Sequence, residues 1–295
     1  MSFLEISMEE VTSILHVIPS IDQGGAECTL SNIIRFAPQW EHHHVHTLTR
    51  LPNFFEIDPA RVTTGTGQRG RFHPEIVWQL RKSIAELRPN VIHAWMYHAN
   101  LASAVAAASG VPIIWSIHND ILLKEASKRG TRIVNRLCAG LSHIVPRRVV
   151  YVCEAVRETH ERQGYAVGKG IVIPNGIDLA RFDPTRFRQC RHPISDGRPV
   201  TVALIGRYEP VKGHHFFVDV VARHPARERI RLHFIGRECD QATDLRAHLA
   251  RVGLLESAVL SDAITDIERV YAESDIVVVP SLAEALPLTV LEASA

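Results

Sequence analysis

Short apolar runs recur along the chain, separated by segments of helix length with apolar residues on one side. The runs are Ile14–Ile18, Val91–Trp95, Pro112–Ile117, Val149–Val152, Ile171–Ile173, Val200–Ile205, Arg231–Ile235 and Ile276–Val279. They are continuous rather than alternating, which marks strands covered on both faces. The segments between them, such as Glu27–Phe36, Glu75–Leu87 and His214–Arg223, repeat their apolar positions at helical spacing. Strand and helix in alternation predict parallel sheets flanked by helices on both sides.

The alternation pauses over residues 175–199, a stretch rich in Arg, Asp and Pro, and restarts at Val200. The expected fold class is therefore α/β, with two Rossmann-like doubly wound domains in tandem: residues 1–178, a linker at 179–198, and residues 199–295. A cleft is expected between them. Leu291–Ala295 reads as the beginning of a helix, and only about four strands precede it where a doubly wound domain has five or six. The second domain is expected to be incomplete.

Composition narrows the function. A length of 295 residues suits two domains of this kind. The net charge of +1 lacks the basic excess of a nucleic-acid protein, so no nucleic-acid partner is expected. The five cysteines are scattered with no C-x-x-C pair, which argues against a disulfide framework or structural zinc and fits a reducing compartment. The first residues, MSFLEISMEEV, lack a basic start and an apolar core, and no run approaches the ~20 apolar residues of a membrane span. A cytoplasmic location is expected.

Four places carry candidate chemistry. Gln23-Gly24-Gly25-Ala26-Glu27 follows the first apolar run and opens a helix, so it is either a tight turn or a place where a ligand meets free backbone N–H groups. His118 stands at the C-terminal end of a buried run, just where ligands gather in such sheets; the alternative is a capping or core histidine. Arg207 and Lys212, in Gly206-Arg207-Tyr208-Glu209-Pro210-Val211-Lys212-Gly213, place two cations at a helix entrance and suit a diphosphate, unless both are solvated surface charges. Finally, Glu284 and Glu292 flank Pro287, Leu288 and Thr289, with Pro287 at the expected first helical position. Carboxylates there can read sugar hydroxyls, or can simply favour the helix start.

Glu284 to Glu292 forms an E-x7-E motif. With the Gly-Gly loop, the strand-end histidine, Gly-Arg…Lys-Gly and Ile173-Pro174-Asn175-Gly176-Ile177-Asp178, in that order, the chain resembles the retaining GT-B glycosyltransferases of family GT4 from Ile14 to Ala295. The resemblance implies a retaining, metal-independent hexosyl transfer from a nucleotide-diphosphate sugar to a glycan or lipid-linked acceptor, in cell-surface polysaccharide synthesis. It implies no cofactor. It further implies that Arg207 and Lys212 hold the donor diphosphate, Glu284 the transferred sugar, Glu292 the ribose, and that Leu288 and Thr289 lie on the donor. His118 would touch the donor sugar near the reaction centre, and Gly24 and Gly25 would shape the space beside the diphosphate.

Three positions depart from the family pattern. Pro287 replaces a common glycine, Leu260-Ser261-Asp262 lacks one, and Gly236-Arg237-Glu238 stands where further glycines are usual. UDP is thus a default donor nucleotide. A nucleotide-sugar 2-epimerase of related fold and a nucleotide-sugar-binding fragment are the competing readings.

Three further segments draw attention. Gly65-Thr66-Gly67-Gln68-Arg69-Gly70 matches G-x-G-x-x-G, but no convincing strand leads into it, so it is expected to be a loop and not a dinucleotide site. His42-His43-His44-Val45-His46 could ligate a metal, yet at a strand start alternation sends its side chains to opposite faces, and no metal is expected. Residues 122–148 hold seven cations against one acid, with Leu122, Leu123, Ile133, Val134 and Leu137 between them. This suits a peripheral contact with an anionic membrane; in the alternative reading the apolar residues are core and the charges solvated.

Overall fold

The computed structural model describes residues 12–50, 54–55, 57–67, 74–107, 110–119, 129–190 and 197–295. The chain forms two compact units, Met1–Gly176 and Ile177–Ala295. In the first, β1 (Thr12–Ile18), α1 (Gly25–Phe36), β2 (Glu41–Thr49), β3 (Val62–Gly67), α2 (Pro74–Leu87), β4 (Val91–Trp95), α3 (Met96–Ala106), β5 (Ile113–Ile117), α4 (Arg129–Ser142), β6 (Arg148–Tyr151), α5 (Glu154–Arg162) and β7 (Gly170–Val172) follow one another. The seven strands pair in the order β3-β2-β1-β4-β5-β6-β7, every pair parallel. In the second, β8 (Val200–Ile205), α6 (His214–Ala222), β9 (Ile230–Ile235), α7 (Thr243–Arg251), β10 (Ala258–Ser261), α8 (Ile267–Glu273), β11 (Ile276–Val278) and α9 (Leu288–Ser294) build a parallel sheet ordered β10-β9-β8-β11. Both units are the doubly wound α/β folds expected from the pattern.

Strand order reverses beside β1 in the first sheet and beside β8 in the second. Loops leaving adjacent strands there run to opposite faces, which opens a crevice at the C-terminal strand ends. The loops after β1, β4 and β5, and those after β8 and β11, therefore mark where each unit can receive a ligand.

The expected loop at Gly65–Gly70 is corrected: Gly65 and Gly67 lie inside β3. This strand reads VTTGTG and pairs at the sheet edge with β2, so no apolar run announces it. A Cβ on Gly65 would stand 2.3 Å from the Thr47 carbonyl oxygen, and one on Gly67 2.5 Å from that of Leu48. These glycines serve close strand packing; Gln68 to Gly70 fall outside the described residues.

Leu204, Phe217, Val218, Leu232, Phe234, Leu245 and Leu249 make the main core of the second unit. The segment opening that unit packs on α8. Buried Asp178 accepts from the N–H groups of Ala180 (3.0 Å) and Arg181 (3.2 Å). The Arg181 guanidinium then bonds Glu268 through Nε (3.0 Å) and Nη2 (2.8 Å), and Phe182 sits edge-on to Tyr271. Among the described residues each unit encloses one buried thiol, Cys138 in the first and Cys239 in the second, and burial pushes both up to about 12.

A second clasp holds the edge of the second sheet. Arg198, ahead of β8, forks onto Asp275, ahead of β11, with Nη1–Oδ2 at 3.0 Å and Nη2–Oδ1 at 2.5 Å; Asp275 also accepts from Thr201 N–H at 2.8 Å. The Arg198 hydrogen bonds hold the Asp275 carboxyl below its ordinary range. A carboxyl depressed in the folded state contributes stability above its unfolded value, about 3.9, and that contribution disappears as pH falls through the lower folded value. Asp275→Asn is accordingly expected to lower the melting temperature at pH 7, with the gap to the parent protein narrowing below about pH 4. Thermal melts of both proteins across that range check this; a gap independent of pH would remove the ion pair as its cause.

Candidate functional site

In the second unit the site is built at the crevice where β8 and β11 part. Gly206 follows β8, and its N–H donates to the Ile235 carbonyl at 2.8 Å. The loop then runs through Arg207 to a single 3-10 turn, Pro210–Lys212, and into α6. Gly213 joins the turn to the helix at φ 73°, a left-handed conformation that favours glycine. A Cβ there would sit 2.3 Å from the Pro280 carbonyl oxygen, so this loop lies hard against the end of β11. The Leu282 N–H donates to the Val211 carbonyl at 2.8 Å and fixes the two loops in register.

That approach brings together residues far apart in sequence. Lys212 Nζ lies 2.6 Å from Glu284 Oε1, each side chain 24% exposed. Arg207 Nη1 stands 3.1 Å from Glu209 Oε1. Tyr208 anchors the same loop from behind: its hydroxyl donates to Asp244 (2.6 Å) and contacts His215 Nε2 (2.7 Å). Lys212 and Glu284 thus meet with solvent access, and Arg207 stands partly exposed on the same loop. They can exchange their present partners for a phosphate and a hydroxyl.

Glu292 lies on α9 and is bound elsewhere. The Tyr271 hydroxyl donates to its Oε2 at 2.6 Å, and burial raises its proton affinity despite that bond. Leu288 and Thr289 are the first two residues of α9, with Pro287 in the preceding cap position. This moves Pro287 one residue earlier than the sequence predicts. The Val290 N–H already donates to the Pro287 carbonyl at 3.1 Å.

In the first unit, Gly24 caps α1 in extended conformation and Gly25 begins the helix. A Cβ on Gly24 would meet the Glu27 carboxylate at 2.2 Å, so that side chain folds over the glycine. His118 follows β5 as expected. Its ring stacks on Trp95 at 5.0 Å and 24°, its Nδ1 is enclosed without a hydrogen-bond partner, and burial drives its pKa down to about 4 against a hydrogen bond to Asn175 that raises it. Asn175 Oδ1 in turn accepts from the Thr29 hydroxyl on α1 at 3.2 Å. Asn175 stands in the Ile173–Asp178 stretch, and the sequence alone assigns it no role. In the sequence Trp95 is only the end of an apolar run.

The histidine run of β2 behaves as alternation requires. His43 bonds Glu41 and His16 on one face, while His46 bonds Ser83 of α2. Among the described residues no group of three or more His, Cys, Asp or Glu is placed to hold a metal ion. A cavity of about 460 Å³ lined by Pro112, Ile144, Arg147, Arg148 and Lys169 lies at the N-terminal end of β5 and β6, the wrong edge for a ligand of this fold. No described helix is long and apolar enough to cross a membrane.

The same arrangement of elements recurs in solved structures. The Anabaena protein HepE in complex with UDP-glucose superposes with a TM-score of 0.76 at 23% identity, over 95% of this chain and 77% of that one. Sucrose-phosphate synthase from Thermosynechococcus elongatus gives 0.74 at 18% identity, over 95% and 78%. At these identities the likeness is one of fold. Among curated proteins, the D-inositol 3-phosphate glycosyltransferase of Geodermatophilus obscurus is 28% identical over 204 residues, which cover 63% of this chain and 45% of that protein. The matched chain thus spans less than half the length of that relative. The profile described as Glycosyl transferases group 1 matches residues 199–295, and the profile of Glycosyltransferase Family 4 matches residues 23–181, more than half of the sequence; the chain belongs to Glycosyltransferase Family 4.

Proposed function

We propose that this protein transfers a hexosyl unit from a nucleoside diphosphate sugar, UDP-sugar by default, to a glycan or lipid-linked acceptor, with retention of configuration and without a metal, in cell-surface polysaccharide synthesis. The observation that carries the reading is the Lys212–Glu284 pair at the crevice of the second sheet, with Arg207 on the same loop. A departing nucleoside diphosphate gains negative charge as the glycosidic bond breaks, and fixed cations beside it lower that barrier. Arg207 offers a fork and Lys212 a point charge for this purpose. As the phosphate takes Lys212, Glu284 is released to accept hydrogen bonds from the sugar hydroxyls. Glu292, with one oxygen held by Tyr271, keeps the other for the ribose. The Leu288 and Thr289 backbone at the start of α9 completes the diphosphate contacts. Gly24 and Gly25 leave backbone room beside it, and the neutral His118 ring contacts a hydroxyl of the transferred sugar.

The acceptor reading draws on α4. Its buried residues are Asn135, Cys138, Ala139 and Ser142, small or polar, whereas Ile133 and Leu137 are 60% and 51% exposed. Ile144, just beyond the helix, is 77% exposed. The alternative in which the apolar residues are core thus fails for Ile133 and Leu137. Arg129, Arg136, Arg147 and Arg148 are exposed around them; residues 122–128 lie outside the described residues. Exposed isoleucine and leucine among arginines match the boundary of an anionic leaflet.

Lys212→Ala and Glu284→Gln are each expected to lower the kcat of sugar transfer about 10²- to 10³-fold. Melting should change little, since a partly exposed pair contributes only about 1 kcal/mol. A collapse in melting temperature with either change would make the pair structural. The metal-free reading is checked by transfer assays in EDTA, where full activity is expected; loss that manganese restores would overturn it. Release of UDP with an epimerised sugar and no acceptor would point to the epimerase instead. For the membrane contact, the protein is expected to float with phosphatidylglycerol vesicles at low salt. It should sink as ionic strength rises and the Debye length falls to ~10 Å at 0.1 M, and Arg129→Glu with Arg132→Glu should abolish flotation. A protein that stays in the dense fraction at low salt has no such contact.

A further inference from the structure

Three imidazoles, an indole and a carboxylate lie in a row across one face of the first sheet. Register and alternation put Glu41 and His43 of β2, His16 of β1, His93 and Trp95 of β4 and Ser116 of β5 on that face. Trp95 Nε1 lies 3.2 Å from His16 Nδ1, His16 Nε2 lies 2.9 Å from His43 Nδ1, and His43 Nε2 lies 2.9 Å from Glu41 Oε2.

Donor counting gives this chain a single direction. An indole N–H can only donate, so His16 Nδ1 accepts. His16 is 1% exposed and burial holds its pKa well below the usual histidine value, so its ring is neutral and carries its proton on Nε2. That proton goes to His43 Nδ1, which leaves the His43 proton on Nε2, directed at the Glu41 carboxylate. Each nitrogen is used once and no tautomer is left to choice.

The far end of the chain is the ring against which His118 stacks. The other neighbours of Trp95 are fixed as well. His93 packs on it at 4.5 Å and is itself bonded to Ser116 at 2.6 Å. Met96, the next residue, begins α3 at φ 69°, a left-handed conformation that a side chain other than glycine adopts only when its surroundings impose it. Asn100, oriented to satisfy its amide, donates to the Ala94 (3.0 Å) and Met96 (3.2 Å) carbonyls and holds that corner, and Met96 Sδ receives the His118 N–H at 3.4 Å. Hydrophobic side chains would fill this face at lower cost in desolvation. The network instead runs from the partly exposed Glu41 to a histidine whose Nδ1 has no partner.

We propose that Trp95 is a positioning residue for His118, its indole plane locked by the one-way chain through His16 and His43 to Glu41. The proposal rests on the transferase reading in taking His118 as a substrate contact. Among the described residues the groups facing His118 are Trp95, the amide of Asn175 and the neutral His93; Glu41 acts only through the chain.

The test uses the full chain labelled with 15N-histidine. In the parent protein His16 is expected as the neutral Nε2–H tautomer from pH 6 to 8 and His43 Nδ1 as the acceptor of its proton, with His118 neutral throughout. His16→Leu cuts the chain. It should raise the His118 titration midpoint, because an indole free to turn uncovers the buried imidazole to water, and lower the kcat of sugar transfer about tenfold at unchanged donor KM, because only the orientation of a reacting group has changed. His16→Gln can still accept and donate, and should restore both. Trp95→Phe keeps a ring but loses the N–H, and gives the same readouts should His16→Leu fail to fold. Nδ1–H tautomers in the parent protein, a His118 titration unmoved in His16→Leu and Trp95→Phe, or no rescue by glutamine would each overturn the proposal. If the His118 signals respond as stated but the parent protein transfers no sugar, the positioning stands and the transferase reading falls.

Discussion

Hydrogen bonding on both sides of β8, parallel to β9 and parallel to β11, sets the geometry on which the second unit's site depends. Parallel pairing brings every strand to its end at the same edge and sends each connection back across a face. Beside β8 the connections diverge, and the pairing of Val278 with Leu204 brings the two strand ends side by side although they lie far apart in sequence. The close fit of Gly213 on Pro280 and the Leu282–Val211 hydrogen bond follow from that adjacency, and the Lys212–Glu284 pair follows from those two. The first unit repeats the scheme around β1, where the Gly24 loop and the Trp95–Met96 corner lie on the two sides of the reversal.

The two crevices use different electrostatics. The second unit gathers formal charge: Arg207, Lys212, Glu209 and Glu284, all partly open to water, where charges can exchange partners cheaply. The first gathers neutral polar nitrogen, with burial holding His16, His93 and His118 uncharged.

Much of this was legible in the sequence. Runs such as Val200–Ile205 and Val91–Trp95 became buried strands because both faces of a parallel sheet are covered, and a two-sided covering demands unbroken apolar sequence. β3 was not legible, because an edge strand of threonine and glycine is defined by its fit to β2 rather than by hydrophobicity. Lys212 and Glu284 could be picked singly, from strand-end positions, but their contact depends on how the β8 and β11 loops meet. Trp95 was hidden by its own apolarity: an indole at the end of a hydrophobic run looks like core until the N–H partner on another strand is known. The α4 surface stayed open between two readings for the same reason, since helical spacing locates a stripe of Ile133 and Leu137 but not the side it faces.

The two buried thiols give each unit an internal reporter. Cys138 and Cys239 are enclosed and protonated at neutral pH, and only the thiolate attacks alkylating reagents. Either sulfur therefore reacts only while its own unit is open. Peptide mapping after a brief exposure to iodoacetamide would time the opening of each half of the molecule separately, in one tube and without a probe being introduced.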